Sequence, residues 1–354
     1  MTVELRSVTR MVGAETHIHE TSLVLEPAGF NVLLGATGAG KTTLMKLMAG
    51  LDRPTSGRVL IDGRDVTDLT PQKRGVSFVH QFFVNYPHMT VFENIASPLR
   101  VAGMAKSEIA GRVEEAARLL QLTPMLKRRP QELSGGQQQR TALARAIVKE
   151  SRALFLDEPL ANLDYKLREE LRDQLPDIFA GRGAVVVYAT SEPEEALLLG
   201  GRTALMDAGR IVQFGPSAGV YRAPVSLTAA RVFSNPPINA AEVTKRGGEV
   251  RLTEAVRWAA VGKAAGLADG TYTVAIRPSD VLPFAGHGAS VAMRGRVLVT
   301  ELTGSESSAH FDLGGQNWVS LAPGVHPYEV GEDHTFYMDP ARCFYFGPDG
   351  SVVA

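Results

Sequence analysis

Residues 30–43 read FNVLLGATGAGKTT, and this stretch decides the fold. The run Phe30 to Leu34 is short and apolar, as a buried central strand would be. Gly35-Ala36-Thr37-Gly38-Ala39-Gly40-Lys41-Thr42 then fits the phosphate-loop pattern G-x-x-x-x-G-K-[ST], with Thr43 beside it. The spacing has a chemical reason. Three glycines let the backbone wrap around phosphate oxygens and turn several N–H groups inward. A helix beginning near Lys41 adds its positive N-terminal end. Lys41 is expected to reach the β- and γ-phosphates of ATP, and the Thr42 hydroxyl to ligate Mg²⁺.

Outward from that loop, the chain alternates apolar runs with helical patterns. Ala153 to Leu156 and Ala184 to Ala189 resemble Phe30 to Leu34, which argues for a mostly parallel sheet covered by helices. Ile109, Val113, Ala116 and Leu120 recur at helical spacing, with Arg112, Glu114, Glu115 and Arg118 on the other side. Gly57 to Thr67 reads as a hairpin turning at Asp62-Gly63. After about Tyr221 the texture changes. Asn235-Pro236-Pro237 punctuates a connection, and helical periodicity fades. From Gly270 onward the runs TYTVAIR, GRVLVTEL, SAHFDL and WVSL predict a small all-β domain, most simply a barrel.

Bulk properties narrow the class. The 354 residues suffice for two domains. Lysine plus arginine number 37 against 38 acidic residues, and a net charge of -1 offers no overall attraction for nucleic acid or anionic lipid. The single cysteine, Cys343, excludes an intramolecular disulfide and suits a reducing compartment. No apolar run approaches the roughly 18 to 20 residues that cross a bilayer, and the start does not read as a signal peptide. A tie to a membrane is therefore expected through other subunits.

A second nucleotide motif accompanies the loop. ALFLDE, residues 153–158, is an apolar strand ending in two carboxylates. Asp157 is placed to hold Mg²⁺ through water, and Glu158 to polarise the attacking water. The pair, followed by Pro159, also fits a helix N-cap. Just upstream, Leu133-Ser134-Gly135-Gly136-Gln137-Gln138-Gln139-Arg140 places a serine cap and two glycines at the opening of a helix. An exposed helix start with bare backbone donors is an anion site.

That segment resembles the signature sequence of ABC ATPases, and the resemblance spans almost the whole chain. It implies an α/β P-loop NTPase domain with a helical subdomain at about 82–150, over residues 1–235. A C-terminal all-β OB-like (TOBE-type) domain over 236–354 would follow. It implies head-to-tail dimers in which Ser134, Gly135, Gly136 and Gln137 contact ATP held by the partner's loop. Gln81 sits where the family's Q-loop glutamine reaches Mg²⁺ and the attacking water. Phe82, Phe83 and Tyr86 would line a groove for a membrane subunit, or belong to the core. Ala161-Asn162-Leu163-Asp164 matches the D-loop, which crosses the dimer interface. Arg277-Pro278-Ser279-Asp280 and Leu302-Thr303-Gly304-Ser305-Glu306 resemble the β-domain of carbohydrate-importer ATPases. NIASPLR, ANLDYKLREELR and EALLLGG look closest to bacterial glycerol-importer ATPases. The implied partners are two transmembrane permease subunits, a second ATPase subunit and an extracytoplasmic solute-binding protein, at the cytoplasmic face of the inner membrane.

Two departures stand out. The family's switch histidine follows a threonine after the next strand; here Thr190-Ser191-Glu192 puts Ser191 in its place. An aromatic that stacks on adenine aligns with Val12. Both imply an asymmetric transporter whose other ATPase keeps its histidine. Two alternatives compete: a largely non-hydrolysing regulatory subunit, and a soluble ABC ATPase acting on DNA or ribosomes. The intact Lys41, Asp157 and Glu158 weigh against the first. The short gap between nucleotide motifs, the single ATPase domain and the near-neutral charge weigh against the second. Exporters usually lack such a β-domain.

Overall fold

The computed structural model describes residues 1–27, 29–82, 84–161, 163–179, 183–286 and 290–354. They divide into two compact units, Met1–Val220 and Tyr221–Ala354.

The first unit opens with β1 (Val3–Val12), β2 (Glu15–Leu25) and β3 (Phe30–Leu34), then α1 (Lys41–Ala49). β4 (Ser56–Ile61) and β5 (Arg64–Asp65) form the expected hairpin. Asp62 and Gly63 at its turn have φ of 52 and 74, the left-handed pair that a two-residue hairpin of this kind requires. After α2 (Pro71–Arg74) and β6 (Val76–Val79) come three helices, α3 (Val91–Val101), α4 (Lys106–Leu119) and α5 (Gly135–Ile147). The rest is β7 (Ala153–Asp157), α6 (Tyr165–Phe179), β8 (Val185–Thr190), α7 (Pro193–Leu199), β9 (Arg202–Asp207) and β10 (Arg210–Pro216).

A six-stranded sheet runs β10-β9-β3-β8-β7-β6, parallel except for β10, and a four-stranded antiparallel sheet runs β2-β1-β4-β5. Every residue of β3, β7 and β8 is buried, which explains why these strands read as unbroken apolar runs. Within β3 the polar exception, Asn31, donates to the carbonyls of Glu26 and Val186 at 2.9 and 3.3 Å. Ile109, Val113 and Ala116 on α4, and Leu120 capping its end, are buried, as their spacing predicts. Thr90 and Glu93 close a reciprocal capping box on α3. The fully buried Asn94 then ties down the preceding loop: it accepts from Tyr86 N–H at 2.8 Å and donates to the carbonyls of Tyr86, Met89 and Thr90.

The second unit begins earlier than the Asn235-Pro236-Pro237 punctuation implies. The chain from Tyr221 to Asn235 packs with it because buried Arg277 donates to the Phe233 and Tyr221 carbonyls, each at 2.7 Å, and stacks on the Tyr221 ring. Leu227 N–H also donates to the Gly350 carbonyl. A linker signal marked by proline is thus displaced from the true packing boundary by a short helical stretch, Leu227–Val232. Beyond it lie two five-stranded antiparallel sheets. Residues of both, among them Trp258, Val274, Phe311, Trp318 and Phe336, share one core.

Candidate nucleotide site

The phosphate loop occupies the turn between β3 and α1. Gly40 caps α1 with φ of 99 and Gly38 has φ of 87, both left-handed. Gly35 is required by a close approach of the chain itself: a Cβ there would collide with the Met206 carbonyl oxygen. Ala36, Thr37 and Gly38 face solvent at the crest, while Ala39 is buried and Thr43 half-buried on the first turn of α1.

Five predicted side chains converge there. Lys41 Nζ donates to the carbonyls of Gly35 and Ala36 at 2.7 and 3.1 Å, and lies 3.6 Å from a Glu158 oxygen. Gln81 Nε2 donates to the other Glu158 oxygen at 2.9 Å. The Thr42 hydroxyl lies 2.9 and 2.8 Å from the two oxygens of Asp157. One hydroxyl hydrogen serves both oxygens. Asp157 is only 2 % exposed, and burial pushes its carboxyl above the usual aspartate range, Thr42 opposing and Glu158 adding to the rise.

This donor set fits Mg²⁺. A buried, under-satisfied carboxylate, a hydroxyl and the Gln81 amide oxygen are hard oxygen ligands. Among the described residues no group of three or more His, Cys, Asp or Glu is present to hold a metal alone. Mg²⁺ suits such a sparse set, because it ordinarily keeps waters and substrate phosphates in its shell.

The carboxylate pair is not a helix cap. The next helix starts at Tyr165, and Glu158 has a left-handed φ of 47. Its N–H donates to the Ala189 carbonyl at 3.0 Å, which ties the turn to the end of β8 and aims the side chain at Lys41. Nothing in the sequence of ALFLDE announces that strain.

Other predicted residues lie elsewhere. Ser191 follows β8 and is exposed; Gly35 N–H donates to the carbonyl of Thr190 just before it, at 3.3 Å. Val12, 48 % exposed, lies at the tip of the β1–β2 hairpin. That hairpin runs against the loop, since a Cβ on Gly40 would lie 3.3 Å from the His17 carbonyl. Ser134 caps α5, accepting from Gln137 N–H at 3.4 Å while its own N–H donates to Gln137 Oε1 at 3.0 Å. Ser134 and Gly135 are exposed, Gly136 and Gln137 half-buried. No hydrogen bond among the described residues links this helix start to residues 35–43 of the same chain. Asp164 caps α6, its carboxylate accepting from Leu167 N–H at 3.0 Å. Phe82 is 82 % exposed and Tyr86 42 % exposed, so neither is core. Phe83 and Asn162 lie outside the described residues.

A lysine-bearing phosphate loop, a magnesium-type carboxylate on the adjacent strand and a glutamate beyond it make this a P-loop ATPase. The chain belongs to the family of ABC transporter ATP-binding proteins. Residues 18–161 match the family described as ABC transporter, and residues 274–346 the TOBE domain. The chain is 35% identical over 355 residues to the sn-glycerol-3-phosphate import ATP-binding protein of Yersinia enterocolitica, covering 99% of this chain and 98% of that one. It is 36% identical over 358 residues to the protein of the same name from Cupriavidus pinatubonensis, with 97% and 96% covered. A dimeric ATP-binding cassette solved in a post-hydrolysis state with ADP and Pi aligns at a TM-score of 0.56 and 29% identity, over 61% of this chain and 98% of that chain. The chain is thus an ABC-type import ATPase that uses ATP with Mg²⁺. Among the described residues no helix is long and apolar enough to cross a membrane.

Proposed function

We propose that the chain powers import of a small polar solute of the carbohydrate or polyol class, and that its own ATP site is slowed by Ser191. The observation that carries this reading is a split site. Lys41, Thr42, Asp157, Glu158 and Gln81 converge on one locus, while the capped, exposed start of α5 serves none of them. That division is what two chains facing each other need: the loop of one grips the triphosphate and Ser134 to Gln137 of the other close over it.

Within the closed site Lys41 leaves its loop carbonyls for phosphate oxygens, and Glu158, released by Gln81, orients the attacking water. Thr42, Asp157 and Gln81 would hold Mg²⁺, which would supply neutralisation of phosphate charge. Ser191 is neutral and short, and supplies no bridge equal to a histidine ring nitrogen. Losing one aligned donor of this kind costs about 2.7 to 4 kcal/mol, or roughly a hundredfold or more in rate. Val12 packs against the base without a π face. Asp164, at the start of α6, faces the partner in this assembly.

The partners are two permease subunits, an extracytoplasmic solute-binding protein and a second ATPase that retains its histidine, at the cytoplasmic face of the cell membrane. Glycerol leads the solutes on the resemblance of NIASPLR, ANLDYKLREELR and EALLLGG. The names of the relatives add sn-glycerol-3-phosphate within the same polyol class. In vesicles holding the assembled transporter, the true solute raises ATPase activity, and comparing glycerol, sn-glycerol-3-phosphate and a sugar identifies it.

Purified alone, the chain is expected to bind Mg-ATP and turn it over slowly, with Ser191→His raising the rate about a hundredfold. Fast hydrolysis by the unaltered chain, or no gain from histidine, contradicts the slowed site. A largely non-hydrolysing regulatory subunit is the second reading, favoured by Ser191 alone. Slow activity that stays slow in the full transporter, with its partner's site inactivated, supports it.

A further inference from the structure

The turn carrying Ser191 is fastened by a buried cluster that the reading above leaves unused. Glu195, on α7, is buried, and one of its oxygens accepts from two hydroxyls: Thr190 at 2.6 Å and Tyr188 at 3.0 Å. Tyr188 and Thr190 are also buried. Thr190 Oγ1 in turn accepts from Glu192 N–H at 3.0 Å. A continuous chain of bonds therefore spans the turn, from the peptide after Ser191, through Thr190, to Glu195, and back into β8 at Tyr188. The phenol holds its proton well above the usual tyrosine range, through burial first and then the Glu195 charge, so it remains a donor. Among the described residues no cation forms an ion pair with Glu195. One carboxylate oxygen is organised by two hydroxyls, a costly burial for a residue that only fills space.

The same stretch of backbone is also bonded to the nucleotide site. Ala189 and Thr190 present their carbonyls to Glu158 N–H and Gly35 N–H, at 3.0 and 3.3 Å. The segment 188–192 is thus held through its side chains by Glu195 and through its backbone by the glutamate turn beyond β7 and the first glycine of the loop beyond β3. We propose that Glu195 is a positioning residue for hydrolysis: through Thr190 and Tyr188 it fixes the Ser191 turn against Glu158 and the phosphate loop. This rests on reading Ser191 as the switch position.

A misplacement of the reacting groups by about 1 Å is enough to cost on the order of a hundredfold. Glu195→Ala in the otherwise unaltered full-length chain is expected to lower single-turnover hydrolysis by about tenfold to a hundredfold. Mg-ATP affinity, measured with a fluorescent ATP analogue, should stay within about twofold, because Lys41 and Thr42 keep their own partners. Glu195→Gln retains an acceptor oxygen and restores most of the rate. Tyr188→Phe and Thr190→Val each remove one hydroxyl donor without emptying the space, and each should give part of the loss. Unchanged hydrolysis in Glu195→Ala, or equal loss of affinity and rate in all four variants, overturns the positioning role. Ser191→His, measured in parallel, addresses the switch reading separately: its failure to raise the rate sinks that reading, whereas the Glu195 series is read in the native Ser191 background and decides the positioning role by itself.

Discussion

Asp157 is held in a state that favours function over stability. Burial raises its pKa, so the folded chain keeps a proton on this carboxyl to higher pH than the unfolded chain does. Stability from this group is full below the ordinary aspartate range and is lost as pH rises through the raised value. Asp157→Asn keeps an acceptor for Thr42 and removes the buried charge. It is expected to raise the melting temperature of the nucleotide-free chain at pH 7, by less at acid pH, and to abolish the further rise that Mg-ATP gives the native chain. Calorimetry at two pH values, with and without Mg-ATP, checks this. The same melting temperature for both proteins at pH 7 would contradict it. At this scale the sequence was legible wherever chemistry dictates a residue type. Lys41, Thr42, Asp157 and Glu158 are each legible from their neighbours in the chain, and Gln81 from the family resemblance alone. The Glu195–Thr190–Tyr188 cluster is not, because Glu195, one of two adjacent glutamates in the first turn of α7, looks like a solvated charge until the packing around it is seen.

Among the elements, the loop between β6 and α3 shows how local chemistry prepares a surface. One side chain, Asn94, bonds the backbone of Tyr86, Met89 and Thr90, in a loop that exposes Phe82 and part of Tyr86. Asn94→Ala orphans the Tyr86 N–H and the Met89 carbonyl, whereas the Tyr86 and Thr90 carbonyls keep the N–H groups of Met89 and Asn94. At about 1 to 3 kcal/mol for a buried group left unpaired, the loss should be about 3 kcal/mol. Hydrogen exchange should locate it: faster exchange at residues 84–90 with little change in the strands. Uniform acceleration throughout the first unit, or none, would show that Asn94 is not the pin. The elements themselves were legible where periodicity is strong. β3 was read over its observed span, β7 and β8 to within a residue at their ends, and α4 by its buried stripe. The change of texture after about Tyr221 falls where the two units divide, whereas the Asn235-Pro236-Pro237 punctuation lies further on. Proline marks a break in backbone hydrogen bonding, whereas Arg277, reaching back to Tyr221 and Phe233 from far along the chain, sets where packing changes.

For the molecule as a whole, the account stands on one arrangement: nucleotide is closed between the phosphate loop of one chain and the α5 start of another. Ser134 and Gly135 are exposed, as such a contact requires. The arrangement makes a prediction that no single-chain site makes. Lys41→Ala disables every loop and Ser134→Ala every cap, so a pure preparation of either variant has no complete site. A mixture contains dimers pairing a good loop from the Ser134→Ala chain with a good cap from the Lys41→Ala chain.

The measurement is ATP hydrolysis, in the Ser191→His background for signal, by each variant alone and by the two mixed. Activity in the mixture that exceeds the sum of the separate preparations, rising to a maximum near equal proportions, is the predicted result. Full activity in Ser134→Ala alone, or no gain on mixing chains shown to form dimers with each other, would contradict the shared site.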